Sequence, residues 1–232
     1  MFRHPFSFTN TVFTMLTIYA IPVSLYCAKL RILLRHKQLQ WREVPPPGGY
    51  GSKEFKQIIP SGNLPALVDG DLILADTEAI AEYLNELHPT PPMLPADIIQ
   101  RAKTRELSRF HDTRLEPELR ALFPHIKPEN RNLEVAKKQS LNISSRLEQL
   151  ASMLGDKNIG NNDTLSLADC GFTISFEWID ALTPTLDLDI SWPDPVISYR
   201  NHLRQHPAIA AELADYQPKI QNFLRAPGHH EA

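Results

Sequence analysis

The apolar positions change their period at one clear place in the 232-residue chain. Ahead of it, strand and helix patterns alternate. LTIYA is short and β-branched, and the following LYCAKLRILLRHKQ sets Leu30, Leu33 and Leu34 on one side of a helix. QWREV reads as a second strand, closed by PPPGGYGS, whose prolines and glycines predict a loop. KEFKQII makes one or two helical turns before Pro60 stops it. LPALVDGDLILAD then holds two apolar runs joined by Asp69-Gly70-Asp71, the turn chemistry of a β-hairpin. TEAIAEYLNELH follows as an amphipathic helix. The order predicts a compact α/β unit over residues 15–88.

The change of period falls at PTPPMLPAD, residues 89–97, where four prolines in nine positions predict a linker. Beyond it the pattern is helical: IIQRAKTRELSRFHDTRLEPELRALF, NRNLEVAKKQSLNISSRLEQLASML, SLADCGFTISFEWIDAL, VISYRNHLRQ and PAIAAELADYQPKIQNFLR. An all-α domain over 98–226 is expected, with a proline-containing connection from Pro184 to Pro195 and a tail at 227–232. Ser166-Leu167-Ala168-Asp169 has the form of an N-terminal capping box. Residues 1–14 read as a loose extension ahead of Met15. The stretch TVFTMLTIYAIPVSLYCA behind Arg3 and His4 is apolar enough to weigh as an export leader. Pro22 interrupts it, however, and Lys29 and Arg31 follow too soon for a membrane span of about 20 apolar residues.

Composition narrows the classes. Hydrophobic residues make up 42% and charged residues 22% of the chain, an ordinary globular balance with material for a sizeable core. A net charge of −3 offers no basic surplus for nucleic acid or for an anionic membrane surface. Two cysteines, Cys27 and Cys170, make no disulfide framework and suit a reducing cytoplasm. The histidines lack metal-ligand spacing, and no phosphate-binding glycine loop is present, so neither metal nor nucleotide cofactors are indicated.

Three places carry candidate chemistry. Ser24 stands where a strand-like run hands over to a helix, and taken alone it reads as a helix cap. Pro65, just ahead of a core strand, belongs at that strand's start and is a candidate cis-proline. Asp76-Thr77 opens a helix: it caps it, or it offers free N–H groups to a carboxylate and a negative charge to an amine.

In this order and at these spacings the chain resembles the glutathione transferase superfamily over residues 15–226. The family's "NP.GKVP.L" segment appears as Ile59-Pro60-Ser61-Gly62-Asn63-Leu64-Pro65-Ala66-Leu67, and its "[EQ]S.AI..YL" segment as Asp76-Thr77-Glu78-Ala79-Ile80-Ala81-Glu82-Tyr83-Leu84. The Ser166–Asp169 box is similar to one in the family's helical domain. The resemblance implies a thioredoxin-like N-terminal domain, with a mixed four-stranded sheet and helices, followed by an all-α helical bundle. It implies that Leu64 and Pro65 meet the cysteinyl part of glutathione and that Asp76 and Thr77 hold its γ-glutamyl end. Ser24 falls where serine-type classes (zeta, theta, tau) carry the serine that hydrogen-bonds the sulfur. Cys27 and Tyr26 are the next candidates, though Cys27, one helical turn inside, also reads as a small buried thiol. SLYC departs from the zeta-class "SSC.W" signature, and Asn63 stands where a lysine is expected.

Phe110, His111 and Arg114 are the expected lining of an electrophile site between the domains, against the alternative that they belong to a solvated helix face. The resemblance implies a cytoplasmic homodimer that transfers glutathione to a small hydrophobic electrophile, with glutathione as co-substrate. Two alternatives stay open: a glutathione-dependent isomerase or reductase, and a non-catalytic binding or assembly module.

Overall fold

A computed structural model describes residues 15–155 and 164–225. Four short strands, β1 (Leu16–Tyr19), β2 (Trp41–Val44), β3 (Ala66–Asp69) and β4 (Leu72–Ala75), form one sheet in the order β2-β1-β3-β4. β1 and β2 are parallel, while β3 runs antiparallel to both β1 and β4, so the sheet is mixed. The parallel pair requires a crossover, supplied by α1 (Leu25–His36). The antiparallel pair needs only the two-residue turn at Gly70, whose φ of +58° is the left-handed conformation a tight hairpin demands. The short α2 (Lys53–Lys56) and α3 (Thr77–Leu87) complete a thioredoxin-like unit.

The remainder is helical: α4 (Ile98–Phe110), α5 (Glu116–Arg120), α6 (Leu133–Leu154), α7 (Leu167–Leu186), α8 (Asp194–Gln205) and α9 (Pro207–Arg225). α7 is buried on all sides from Leu167 to Ile179 because it is the helix the others surround, with Phe172, Ile174, Phe176, Trp178 and Ile179 in the core. At its start the Asp169 carboxylate accepts from both the backbone N–H and the hydroxyl of Ser166, each at 2.7 Å. α7 runs past Pro184 to Leu186, further than the sequence suggests. A proline in the last turn removes a single ladder bond, and Asp187 then ends the helix in the left-handed conformation (φ +54°).

A second departure bears on the site. The long run from Ile98 to Arg120 reads as one helix, but a π-turn at His111–Leu115 separates α4 from α5. Pro117 has no N–H to give to a carbonyl one turn back, and the Glu116 N–H bonds His111 O, five residues earlier.

α1 packs between the sheet and the helical half, against α7 and α9, and is buried almost all round. Its two buried cations are therefore paired. Lys29 meets Glu78 and Asp112, while Arg31 meets Glu43 and Glu212.

Candidate functional site

The N-terminus of α1 opens on a cleft of about 380 Å³ with walls from both halves of the chain. Ser24 is the N-cap. Its backbone is extended (φ −61°, ψ 125°), and its Oγ accepts the Cys27 N–H at 3.2 Å. A hydroxyl that accepts one bond keeps its own proton for donation. The capping role and the thiol-binding role anticipated for Ser24 are thus compatible in one geometry. Cys27 lies a turn deeper at 1% exposure, and burial pushes its thiol above the ordinary value despite the nearby Ser24 hydroxyl. Tyr26 does line the cleft, but burial and the Glu116 carboxylate hold its phenol far above the usual range, and the Arg120 guanidinium stacks 5.7 Å from its ring centre.

Across from Ser24 stand Leu64, Asp76 and Thr77, three of the four residues assigned to glutathione. The Leu64–Pro65 peptide is cis; Leu64 lines the cleft, and Pro65 is buried behind it at the start of β3. Asp76 takes φ +84°, an uncommon conformation for a side-chain-bearing residue, and its Oδ1 accepts the Glu78 and Ala79 N–H groups at 3.0 Å each. That places the exposed Asp76 carboxylate on the rim, with buried Thr77 as the first residue of α3.

The residues expected to line the electrophile side are not the ones the cleft uses. Arg114 is exposed, Phe110 is half-buried outside the cleft, and His111 is fully buried against Phe172 and α7. Phe110 closes α4 ahead of the π-turn and His111 begins it, so of the three only Arg114, inside the turn, is rotated away from a continued α-helical register. The cleft is walled instead by Arg109, Asp112, Arg120, Phe123, Trp178 and Phe223. Arg109 and Asp112 were within one or two residues of the expected set. The three aromatics come from distant segments, and no local pattern marks them.

Behind the cleft wall lies a buried polar network. Lys29 Nζ reaches Glu78 Oε1 at 2.6 Å and the two Asp112 oxygens at 2.9 and 3.0 Å. Ser108 donates to the same Glu78 oxygen. Burial alone would pull the ammonium down, but the two carboxylates outweigh it and hold its pKa above the ordinary lysine value. The Asp112 carboxyl resists the opposite push of burial: the bond to His111 and the charge of Lys29 hold it well below the usual carboxylate range. His111 bonds Asp112 Oδ1 at 2.7 Å and Ser175 Oγ at 2.8 Å through its two ring nitrogens. Ser175, His111 and Asp112 so have the connectivity of a nucleophile triad, yet Ser175 and His111 are 0% exposed and Ser175 does not line the cleft. That arrangement locks α7 to the π-turn. Gly171 makes it possible, since a Cβ there would fall 2.5 Å from His111 Nδ1.

A larger groove of about 770 Å³ runs between the proline-rich segment, α4 and α8, and none of the candidate residues lines it. Among the described residues no group of three or more His, Cys, Asp or Glu side chains is arranged to hold a metal ion, and no helix is long and apolar enough to cross a membrane.

Residues 18–92 match the family model "Glutathione S-transferase, N-terminal domain". Over 105 residues the chain is 36% identical to Glutathione S-transferase Z2 of Arabidopsis thaliana, a match covering 43% of this chain and 47% of that protein. The chain thus spans about half the length of that relative. A longer match, 26% identical over 217 residues, covers 88% of this chain and 93% of FtsZ-localized protein A of Caulobacter vibrioides. Among solved structures, a zeta-class bacterial maleyl pyruvate isomerase shares the fold with a TM-score of 0.72 at 22% identity, over 87% of this chain and 98% of that one.

Proposed function

Because the chain belongs to the glutathione S-transferase superfamily, we propose that it binds reduced glutathione in the 380 Å³ cleft and activates the thiol for attack on a small hydrophobic electrophile. The observation that carries this reading is the meeting of Ser24, Leu64, Asp76 and Thr77 in one cleft, from three separate segments of the chain. Glutathione supplies the nucleophile that the protein lacks. Asp76 offers a negative charge to its α-amine, and the opening turn of α3 at Thr77 offers N–H groups to its carboxylate. Ser24 donates its hydroxyl proton in a hydrogen bond to the sulfur. The N-terminal end of the α1 dipole adds to that stabilisation of thiolate over thiol. The thiol proton leaves to solvent, the sulfur lone pair forms the new C–S bond, and the leaving group or the adjacent carbon takes the displaced electron pair. Phe123 and Phe223 give the electrophile an aromatic wall, backed by the fully buried Trp178.

The test is turnover of reduced glutathione with an activated aryl halide and with a cis-enone acid, by wild type and Ser24→Ala. Thioether formation that falls at least tenfold in the variant supports transfer, and isomerised enone without net glutathione consumption supports an isomerase. With Cys27 buried, a reductase here would work through the glutathione thiolate itself, reducing a disulfide substrate with two glutathiones oxidised to their disulfide. Cytoplasmic location and a two-fold dimer belong to the same reading.

A second reading is that the fold serves as a binding or assembly module. It is favoured by a relative that matches 88% of this chain and is named for its localisation with FtsZ rather than for catalysis. Glutathione binding without turnover of any electrophile is the outcome that separates the two readings.

A further inference from the structure

The peptide ahead of Ser24 is held from the far end of the chain. Val23 O lies just outside the α1 ladder, whose first internal bond runs from the Ala28 N–H to Ser24 O at 3.0 Å. A carbonyl in that position needs a partner from elsewhere. It finds one in α9: the Tyr216 hydroxyl donates to Val23 O at 2.6 Å, and Tyr216 Oη in turn accepts the Trp178 indole N–H from α7 at 2.8 Å. Both side chains are fully buried. On the other edge of the same peptide the Ser24 N–H reaches Ile21 O at 3.3 Å. The Val23–Ser24 peptide plane is therefore pinned at both ends, and with it the direction of the Ser24 side chain. Trp178 also backs the aromatic side of the cleft, edge-on to Phe223 at 5.7 Å and tilted against Phe123 at 4.9 Å.

The geometry points to Tyr216 and Trp178 as positioning residues for Ser24, a two-bond relay through which the core behind the cleft's aromatic wall sets the aim of the sulfur-binding hydroxyl. Neither residue touches the sulfur. Loss of the Tyr216 hydroxyl frees the Val23 carbonyl, lets the Ser24 turn relax and weakens the hydroxyl's bond to the thiolate. The relay rests on the glutathione reading.

The experiment is the ultraviolet titration of the thiolate of bound glutathione against pH, for wild type, Tyr216→Phe and Trp178→Phe, with the glutathione dissociation constant measured alongside. A misaimed hydrogen bond of about 1 kcal/mol converts to a rise of roughly 0.5–1 unit in thiolate pKa for Tyr216→Phe. The dissociation constant should stay within about threefold, because the residues that hold the rest of glutathione are untouched. Trp178→Phe, which leaves the Tyr216–Val23 bond in place, should shift the pKa in the same direction and by less. A merely structural role reverses that order, since Trp178→Phe removes far more buried volume than the single oxygen lost in Tyr216→Phe. An unchanged thiolate pKa in Tyr216→Phe, with wild type binding glutathione normally, overturns the relay alone. A wild type that binds no glutathione overturns the underlying reading and the relay with it. If Tyr216→Phe does not fold, an unshifted pKa in Trp178→Phe overturns the relay.

Discussion

Lys29 Nζ sits 2.6 Å from Glu78 Oε1, and this contact fastens α1 to the first turn of α3, where glutathione's γ-glutamyl end is proposed to bind. Asp112 completes the triplet from the helical half at 2.9 Å. With Lys29 only 3% exposed, the pair is removed from solvent screening. Lys29→Met should leave two carboxylates buried without their cation, at a cost of about 3–5 kcal/mol. Urea denaturation measures it. The same variant should weaken glutathione binding, since Glu78 and Asp112 both face the cleft.

Ser24→Ala removes both the cap and the sulfur donor. Stability should fall by only about 1 kcal/mol, the usual worth of an N-cap. Turnover, by contrast, should fall by about 10²-fold or more, the scale of losing a donor aimed at developing charge. Ser24→Cys should change the product instead, giving a mixed disulfide with glutathione when a disulfide is the substrate. Mass spectrometry of the intact protein reads that outcome.

Gly171→Ala should destabilise the protein although alanine is the better helix former by about 1 kcal/mol. The added methyl meets the His111 ring, which cannot move without giving up its bonds to Asp112 and Ser175. Overpacking of this kind costs about 1–3 kcal/mol. A melting temperature equal to or above that of wild type would contradict the His111 arrangement.

His36 supplies a pH signature. Burial, with the neighbouring His206 and Lys37, lowers its pKa to about 4. In the unfolded chain a histidine titrates near 6.5. Between those values the unfolded state binds more protons, so stability rises with pH, and acidification from about 6.5 to 4 erodes it. His36→Asn should flatten that window of the melting curve by on the order of 2–4 °C. An unaltered slope from pH 6.5 to 4 would exclude His36 as its source.

What was legible in the sequence was local. The Asp69-Gly70-Asp71 turn, the proline opening β3 and the handover to helix at Ser24 each announce themselves within a few residues, because turn and cap chemistry acts over that range. The mixed four-stranded sheet followed by helices was expected from the family resemblance and is the fold observed. The missing pieces depend on contacts between distant segments. Lys29 and Arg31 read as polar interruptions of an apolar run, yet both are buried and paired across the two halves. From this segment the cleft takes Arg109 and Asp112 rather than Phe110, His111 and Arg114, and the π-turn at His111–Leu115 beside them is concealed by a continuous helical period. Trp178 and Phe223 look like ordinary core positions on helices, and only packing brings them to Ser24.

The central claim is that Asp76, Thr77 and Ser24 form a glutathione site. Calorimetric titration with reduced glutathione, of wild type and of an Asp76→Ala, Thr77→Ala double variant shown to be folded, tests it most directly. Saturable binding by wild type that the double variant loses is the result expected. A folded wild type that shows no binding heat would contradict the claim, leaving Ser24 as the cap of α1 and Asp76 as the cap of α3.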